Sequence, residues 1–221
     1  MWIAERLISL IAPHSCRQCG LEGAVLCQSC AMLLQGVPSR CYRCHHVTEN
    51  FRTCAHCCKK SKLYAVHVSA RYAGVAKDLI YALKFERAQA AAKDMAWAIA
   101  ARYQPDPEMI ITHIPTATAR VRLRGYDQAA LIAQELSRLT AIPYTPLLAR
   151  KNSGRQVGQK RAGRQAQMQD AFRPLHPTIL ERRHILLVDD VLTTGATCEA
   201  AARTLKGTGA RRVSAVVFAV A

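Results

Sequence analysis

Hydrophobic and polar positions along residues 63–221 form a pattern that predicts strands and helices in turn. A continuous apolar run at residues 185–188 is typical of a strand that is buried on both faces of a parallel sheet, and residues 212–221 are predicted to form a final buried strand. The predicted strands lie at residues 64–72, 109–114, 144–149, 185–188 and 212–221. Apolar residues recur at helical spacing in residues 75–83, 88–103, 128–139 and 198–206. Because strands and helices follow one another, we expect an α/β fold with a parallel sheet flanked by helices.

Residues 1–62 differ from the rest of the chain because they hold most of its cysteines. Nine of the ten cysteines precede residue 59, and eight of these form four Cys-x-x-Cys pairs. In a reducing compartment this spacing is typical of metal sites, because two pairs supply the four sulfur ligands of a tetrahedral zinc ion. Disulfides are the alternative. The pairs are Cys16/Cys19, Cys27/Cys30, Cys41/Cys44 and Cys54/Cys57.

Closing a short loop costs less chain entropy than closing a long one. We therefore predict that the first two pairs share one ion and the last two pairs share another. The first site would use Cys16, Cys19, Cys27 and Cys30, and the second Cys41, Cys44, Cys54 and Cys57. An interleaved pairing remains open. Four sulfur ligands leave no open coordination position, so both zinc ions should be structural and supply folding energy that a short segment lacks. The sequence therefore predicts a small zinc-ribbon module at residues 1–62 and a larger domain at residues 63–221.

The stretch from His184 to Thr197 carries the most informative chemistry. Two adjacent carboxylates, Asp189 and Asp190, follow the predicted strand at 185–188, and a small, hydroxyl-rich turn at Thr193–Thr197 leads into a helix. Such a turn suits a phosphate, because backbone N–H groups and the positive end of the helix dipole face the anion. Carboxylates would repel that phosphate unless they serve ribose hydroxyls or Mg²⁺. A sugar phosphate fits both halves; an acidic strand end with an N-capping Thr is the alternative.

Basic residues indicate anionic partners. The net charge is +16, and residues 63–221 contribute +11 of it through 23 Lys/Arg against 12 Asp/Glu. Arg120, Arg122 and Arg124 follow a predicted strand, and in an extended loop they could clamp a pyrophosphate or DNA phosphates. A second basic segment at residues 150–169 could form a lid over a polyphosphate or a strip for nucleic-acid phosphates. Its candidate residues are Arg155, Lys160, Arg161 and Arg164. Solvated surface loops are the alternative for both segments.

Targeting signals are absent from the hydrophobic pattern. No apolar run reaches the length of a membrane span. Residues 1–11 are short and carry charges inside the apolar stretch, which is typical of an amphipathic helix and atypical of a signal peptide. We therefore expect a cytoplasmic protein.

Several motifs together resemble the ComF family of bacterial competence proteins, also called ComFC or GntX-like proteins, over nearly the whole chain. The shared motifs are the cysteine pairs, Tyr81–Phe85, Ile114–Pro115 with Arg120–Tyr126, the segment 155–172, and Val188–Thr197. The last of these closely resembles the phosphoribosyl-pyrophosphate signature of type I phosphoribosyltransferases. One departure is visible: Gln167 stands where the family usually has Asn.

This resemblance implies a double zinc ribbon joined to a type I phosphoribosyltransferase-like domain. Asp189 and Asp190 would be the catalytic acids and bind the ribose hydroxyls, with Mg²⁺ accompanying phosphoribosyl pyrophosphate. The 5-phosphate would be held by Thr193, Thr194, Gly195, Ala196 and Thr197, while Lys84 and Arg164 would contact phosphate. The family is linked to natural transformation and the late handling of imported single-stranded DNA, with a ComFA-type helicase and a DprA-type protein as partners.

Three functional hypotheses remain open at this stage. The first is a competence accessory protein that binds phosphoribosyl pyrophosphate or a similar sugar phosphate and engages single-stranded DNA. The second is an active phosphoribosyltransferase in nucleotide metabolism or salvage, although no segment for base recognition is evident. The third is a zinc-ribbon scaffold with a vestigial site, against which the intact stretch from Asp189 to Thr197 argues. The sequence alone does not decide whether the protein catalyses a transfer.

Overall fold

The computed structural model describes residues 14–151, 171–176 and 182–221. The strands in these ranges are β1 (Val66–Arg71), β2 (Ile110–His113), β3 (Leu148–Arg150), β4 (Phe172–Pro174), β5 (His184–Leu192) and β6 (Arg212–Val220). The helices are α1 (Gln28–Met32), α2 (Gly74–Phe85), α3 (Ala90–Ala100), α4 (Thr118–Arg124), α5 (Gln128–Thr140) and α6 (Ala196–Gly207). The predicted alternation of strands and helices in the second part of the chain is confirmed.

A parallel sheet of four strands forms the centre, in the order β1-β6-β5-β2. The two central strands, β5 and β6, are buried along most of their length, which explains why most of their residues are apolar. Strands β3 and β4 form a separate antiparallel pair. This is the fold class predicted from the sequence, a type I phosphoribosyltransferase-like parallel sheet flanked by helices.

Helices cover both faces of the sheet. Alternate residues of β5 point to opposite faces, so Leu186 and Val188 pack in one hydrophobic cluster and Ile185 and Leu187 in the other. The first cluster contains the buried faces of α2, α3 and α5. The second contains the buried face of α6 together with residues of the β3–β4 pair. Each cluster forms because an amphipathic helix buries its apolar side against one face of the sheet.

The first cysteine segment packs directly against α3. Leu26 and Leu34 belong to the same hydrophobic cluster as the buried residues of this helix. The Leu26 N–H donates to Asp94 Oδ2 at 2.8 Å. Arg102, just beyond the helix, donates to the carbonyl oxygens of Ala31 and Leu34 at 3.1 and 3.2 Å. These bonds fix the segment on the larger domain; the domain boundary at residue 62 stays a prediction.

Two local predictions were wrong. The strand predicted to end at Val188 continues to Leu192, because its partner β6 pairs with it as far as Val220. The acid pair therefore lies inside β5 instead of after it. The segment with Arg120, Arg122 and Arg124 is the helix α4 instead of an extended loop. Gly125, with φ of +87°, ends this helix in the left-handed conformation that favours glycine.

No helix within the described ranges is long and apolar enough to span a bilayer.

Candidate functional site

The carboxyl end of β5 projects beyond its neighbour β2. The two strands pair only as far as His113 and Val188, whereas β5 and β6 pair through Leu192 and Val220. Residues 189–192 of β5 thus have a strand partner on one side only, next to the loop that follows β2. Ligands of open α/β sheets bind at such carboxyl ends, where the loops diverge. The acid pair is part of this projecting end.

Asp190 is the buried member of the acid pair, with 5% of its surface exposed. Its Oδ2 lies 2.7 Å from Nζ of Lys84, in the last turn of α2. A buried carboxylate is costly unless it is paired, and Lys84 is the paired charge here. The structure thus brings together two residues that lie far apart in the sequence and that were both predicted to belong to the site.

Asp189 is half-buried and lies on the opposite side of the strand, towards α6. Its Oδ1 accepts a hydrogen bond from the Asp190 N–H at 2.9 Å. Burial and then the neighbouring Asp190 carboxylate raise the pKa of Asp189 well above its ordinary value, and the backbone N–H and Lys84 only partly oppose them. Because the two acids face opposite sides, a ligand that uses both must lie across the end of β5.

The predicted phosphate turn connects β5 to α6. Gly195 has a φ of +74° and is the N-cap of α6. Thr193, Thr194 and Ala196 are exposed and Thr197 is half-buried, so the turn is open to solvent. The first N–H groups of a helix have no partner within the helix and carry partial positive charge. The turn can therefore accept an anion such as a phosphate.

The loop after β2 is held by charged side chains at two adjacent residues, Pro115 and Thr116. The Thr116 N–H and hydroxyl donate to the Asp127 carboxylate at 2.7 and 3.0 Å. Asp127 also accepts the Ala129 N–H and so caps α5. On the other side, Arg150 donates to the carbonyl of Pro115 at 3.4 Å. Arg150 begins the basic segment predicted at residues 150–169, but its contact with Pro115 and the role of Asp127 as a cap were not predicted from the sequence.

The three arginines of α4 do not form a single clamp. On a helix, Arg120 and Arg124 lie one turn apart on the same side, and Arg122 lies on another. Arg124 donates to Gln128 Oε1 at 2.8 Å, and its guanidinium is 5.5 Å above the ring of Phe85. Burial and then Arg120 lower the pKa of Arg150, which indicates that Arg120 lies near the loop after β2. Arg155, Lys160, Arg161 and Arg164 lie outside the described residues.

Two exposed aromatic rings lie in the last two turns of α2. Tyr81 and Phe85 are 53% and 64% exposed, and their ring centroids are 5.0 Å apart. Phe85 directly follows Lys84, the partner of Asp190, in the sequence. Their spacing of four residues on a helix was the available signal in the sequence. Exposed neighbouring rings of this kind can stack on planar ligands such as nucleobases.

Eight cysteines form two compact clusters of four. In each cluster the four Sγ atoms lie within 4.8 Å of one another. The Sγ atoms of Cys19 and Cys27 are 3.7 Å apart, and those of Cys44 and Cys54 are 3.6 Å apart. A tetrahedral zinc ion with sulfur ligands at about 2.3 Å requires sulfur–sulfur distances of about 3.8 Å. The clusters therefore fit zinc, and they contain neighbouring pairs, as predicted, instead of interleaved ones.

The thiols of each cluster differ in pKa. Burial and then the neighbouring thiols raise the pKa of Cys30 and of Cys57 to about 12, whereas burial is outweighed at Cys16 and Cys41 by backbone N–H groups, which lower the pKa of both thiols to about 6. A divalent ion would stabilise four thiolates together, because zinc binds thiolates. A zinc ion with four sulfur ligands would have no coordination position left for substrate.

Comparison with known proteins supports the same organisation. The family model for the phosphoribosyl transferase domain matches residues 124–220. Competence protein F of Haemophilus influenzae is 28% identical over 199 residues, which cover 78% of this chain and 86% of that protein. Competence protein ComFC of Bacillus subtilis is 34% identical over 101 residues, 46% of this chain and 40% of that protein. DNA utilization protein YhgH of Escherichia coli is 27% identical over 220 residues, 92% of this chain and 96% of that protein.

This chain is similar to competence proteins of the ComF type, and part of it matches a phosphoribosyl transferase domain. The matched domain and the two four-cysteine clusters occur together, as the sequence motifs predicted. The chain combines a cysteine-rich segment that could bind metal with an α/β domain, and its acid pair and predicted phosphate turn lie at the end of β5.

We expect two zinc ions per chain of this protein, measured by elemental analysis of protein purified without chelator. Cys27→Ser removes one sulfur of the first cluster, so this variant should retain about one zinc ion and lose the folding of its N-terminal segment. Cys58→Ser is the matched control, because Cys58 is exposed and belongs to neither cluster. One zinc ion or none in the wild type, or full zinc content in Cys27→Ser, would contradict the assignment.

We expect Asp189→Asn to be more stable than the wild type at pH 7. A raised carboxyl pKa means that the folded state binds the proton more tightly, so the wild type loses stability as pH rises from about 4 through the folded pKa. Asn does not ionise, so the variant keeps this stability at pH 7. It should melt about 2–4 °C higher than the wild type, which corresponds to about 1 kcal/mol in the free energy of unfolding. Calorimetry at pH 4 and pH 7 should show the difference only at the higher pH. Glu108→Gln, at an exposed acid, should show no such increase.

Proposed function

We propose that this protein binds phosphoribosyl pyrophosphate, or a similar sugar phosphate, at the carboxyl end of β5 and engages single-stranded DNA in natural transformation. The observation that carries the proposal is the buried ion pair between Asp190 and Lys84, next to the phosphate turn of Gly195. A stable fold has no need of two adjacent acids at this position, because their burial is unfavourable. A ligand that uses the acids accounts for them.

Ribose hydroxyls are the groups that these acids would recognise. Carboxylates accept hydrogen bonds from hydroxyls, and such charge-assisted bonds are stronger than neutral ones. A ribose across the end of β5 would contact Asp189 from one side and Asp190 from the other. The oxygen donors of the two acids also fit Mg²⁺, which would offset the charge of the phosphates. The 5-phosphate would then occupy the turn Thr193–Thr197.

A pyrophosphate group would lie near the loop after β2. Lys84 and Arg150 supply positive charge there, and Arg120 in α4 adds to it. Planar guanidinium groups bind phosphate oxygens in pairs, which suits this role. Arg155, Lys160, Arg161 and Arg164 are proposed to close over the pyrophosphate or to contact DNA phosphates, as expected from their charge.

Single-stranded DNA is the proposed macromolecular partner. The relatives are competence proteins and a DNA utilization protein. Residues 63–221 carry a net charge of +11, and the exposed rings of Tyr81 and Phe85 lie beside Arg124. Aromatic rings that stack on bases, combined with basic side chains for the phosphates, are typical of surfaces that bind single strands.

An active phosphoribosyltransferase is the second candidate, and the family model that matches residues 124–220 favours it. Transfer of the phosphoribosyl group releases pyrophosphate, whereas binding alone does not. Incubation of the zinc-loaded protein with phosphoribosyl pyrophosphate, Mg²⁺ and each common nucleobase, followed by an assay for released pyrophosphate, separates the two functions.

We expect the double variant Asp189→Asn/Asp190→Asn to bind phosphoribosyl pyrophosphate at least about tenfold more weakly than the wild type, with Mg²⁺ present. Asn is a poorer acceptor for hydroxyls and a poorer ligand for Mg²⁺, and charge-assisted hydrogen bonds contribute about 1.5–3 kcal/mol each. Inorganic pyrophosphate lacks ribose and should bind no more weakly. Calorimetric titration of both ligands measures these differences.

A control with the same change in charge separates specific from general electrostatic effects. Asp106→Asn/Glu108→Gln neutralises two exposed acids outside the site, so it should leave the affinity for phosphoribosyl pyrophosphate unchanged. If the acid-pair variant instead binds both ligands more tightly, the two acids act only as negative charges. The proposal of a ribose site would then be wrong.

We expect Phe85→Ala to weaken the binding of a short single-stranded oligonucleotide by about tenfold, since one stacked base contributes about 1–3 kcal/mol. Phe85→Tyr retains a ring and should bind like the wild type, and Phe85→Leu retains apolar bulk and should bind like Phe85→Ala. Fluorescence anisotropy at constant salt measures the affinities. If Phe85→Ala, Phe85→Tyr and Phe85→Leu all bind the oligonucleotide with the same affinity, stacking on Phe85 is excluded.

A further inference from the structure

The second cysteine cluster reaches the phosphate turn through Tyr42. This residue lies between the first two sulfur ligands of the cluster, Cys41 and Cys44. Its ring packs against Gly195 so closely that a Cβ atom on Gly195 would lie 2.7 Å from Tyr42 Cε2 and 2.8 Å from Cδ2. Two features therefore require glycine at position 195. Its φ of +74° is left-handed, and a side chain would overlap the ring of Tyr42.

The hydroxyl of Tyr42 extends the contact into the first turn of α6. It lies 2.9 Å from Ser61 Oγ and donates a hydrogen bond to Oε1 of Glu199. The ring and the hydroxyl thus hold both Gly195 and the helix that begins there.

Glu199 is 9% exposed, and its carboxylate contacts residues in the segment around the second cluster. Besides the Tyr42 hydroxyl, the Lys62 N–H donates to Oε2 at 3.1 Å, and Arg43 Nη1 lies 3.5 Å from Oε1. A buried carboxylate with three such partners cannot move without leaving charge or donors unsatisfied. The start of α6 is therefore tied to the loop between Cys41 and Cys44.

The first cluster makes no comparable contact with the turn among the described residues. The equivalent loop, between Cys16 and Cys19, contains Arg17, which pairs with Glu86 at the surface. The segment of this cluster packs on α3 through Leu26 and Asp94. The two cysteine clusters have the same kind of ligands, but the segments that carry them contact different parts of the larger domain.

We propose that Tyr42 is a positioning residue for the phosphate turn Thr193–Thr197, and that the second four-cysteine centre is thereby a structural part of the phosphoribosyl site. A metal ion bound by Cys41 and Cys44 fixes the loop that carries Tyr42, and Tyr42 fixes Gly195 and the start of α6. Loss of metal from the second centre should therefore weaken phosphate binding, and loss from the first should not. This inference rests on the proposed phosphoribosyl site for its ligand.

The test uses ribose 5-phosphate, which has the 5-phosphate and lacks the pyrophosphate, in calorimetric titrations of the zinc-loaded full chain. Tyr42→Ala should bind about tenfold more weakly than the wild type, and Tyr42→Phe, which retains the ring, should bind with intermediate affinity. Both variants should contain two zinc ions, which separates positioning of the turn from loss of metal. Tyr64→Phe, at another half-buried tyrosine, is the control and should bind normally. Wild-type affinity in Tyr42→Ala would overturn the inference.

A pair of cysteine variants tests the difference between the two centres. Cys44→Ser and Cys19→Ser remove the second sulfur of the corresponding Cys-x-x-Cys pair in each cluster, and both sulfurs belong to exposed residues. We expect Cys44→Ser to lose ribose 5-phosphate binding by about tenfold or more, and Cys19→Ser to bind like the wild type. Equal losses in both variants would mean that zinc stabilises the whole protein without specific coupling to the turn.

Hydrogen–deuterium exchange gives a measurement that needs no ligand. Peptides that contain Thr193–Thr197 should exchange faster in Tyr42→Ala and Cys44→Ser than in the wild type or in Cys19→Ser. If the wild type fails to bind ribose 5-phosphate but the exchange rates differ as expected, the phosphoribosyl proposal fails while the coupling of Tyr42 to the turn holds. Unchanged exchange in Tyr42→Ala would overturn the coupling itself.

Discussion

The ion pair between Lys84 and Asp190 is the interaction on which the site depends. It allows a carboxylate to be buried at the end of β5, because Nζ of Lys84 lies only 2.7 Å away. The same contact joins the end of α2 to the central sheet. Burial and then the Asp190 carboxylate raise the pKa of Asp189 well above its ordinary value, and Lys84 only partly opposes them.

The length of β5 determines how this chemistry is presented. Because β2 stops pairing at Val188 while β6 continues beside β5, the acids project from the sheet with one side open. Alternation along the strand then separates the two carboxylates onto opposite sides. The site is therefore the end of a strand with a turn and a helix behind it, and a ligand would span that end.

Metal binding and the α/β domain are connected through packed side chains. The segment that carries the first cluster adds Leu26 and Leu34 to the hydrophobic cluster that contains the buried face of α3. The second cluster contributes Tyr42, whose ring fills the space beside Gly195. Segments this rich in cysteine have few large apolar residues of their own, so metal coordination and the surface of the larger domain together supply their order.

Local patterns in the sequence determined the fold class and the two sets of four cysteines, and they made Asp189, Asp190 and the turn before α6 the candidate site. These depend on spacing of nearby residues, on strand and helix periodicity, and on motifs that resemble a known family. Tertiary structure alone decided that Lys84 pairs with Asp190, that Arg120 and Arg122 lie on a helix, and that Tyr42 contacts Gly195. The contact between Tyr42 and Glu199 joins residues separated by more than a hundred positions. Only the packing of whole elements brings such residues together. Local periodicity does not predict which distant side chain will fill a given space.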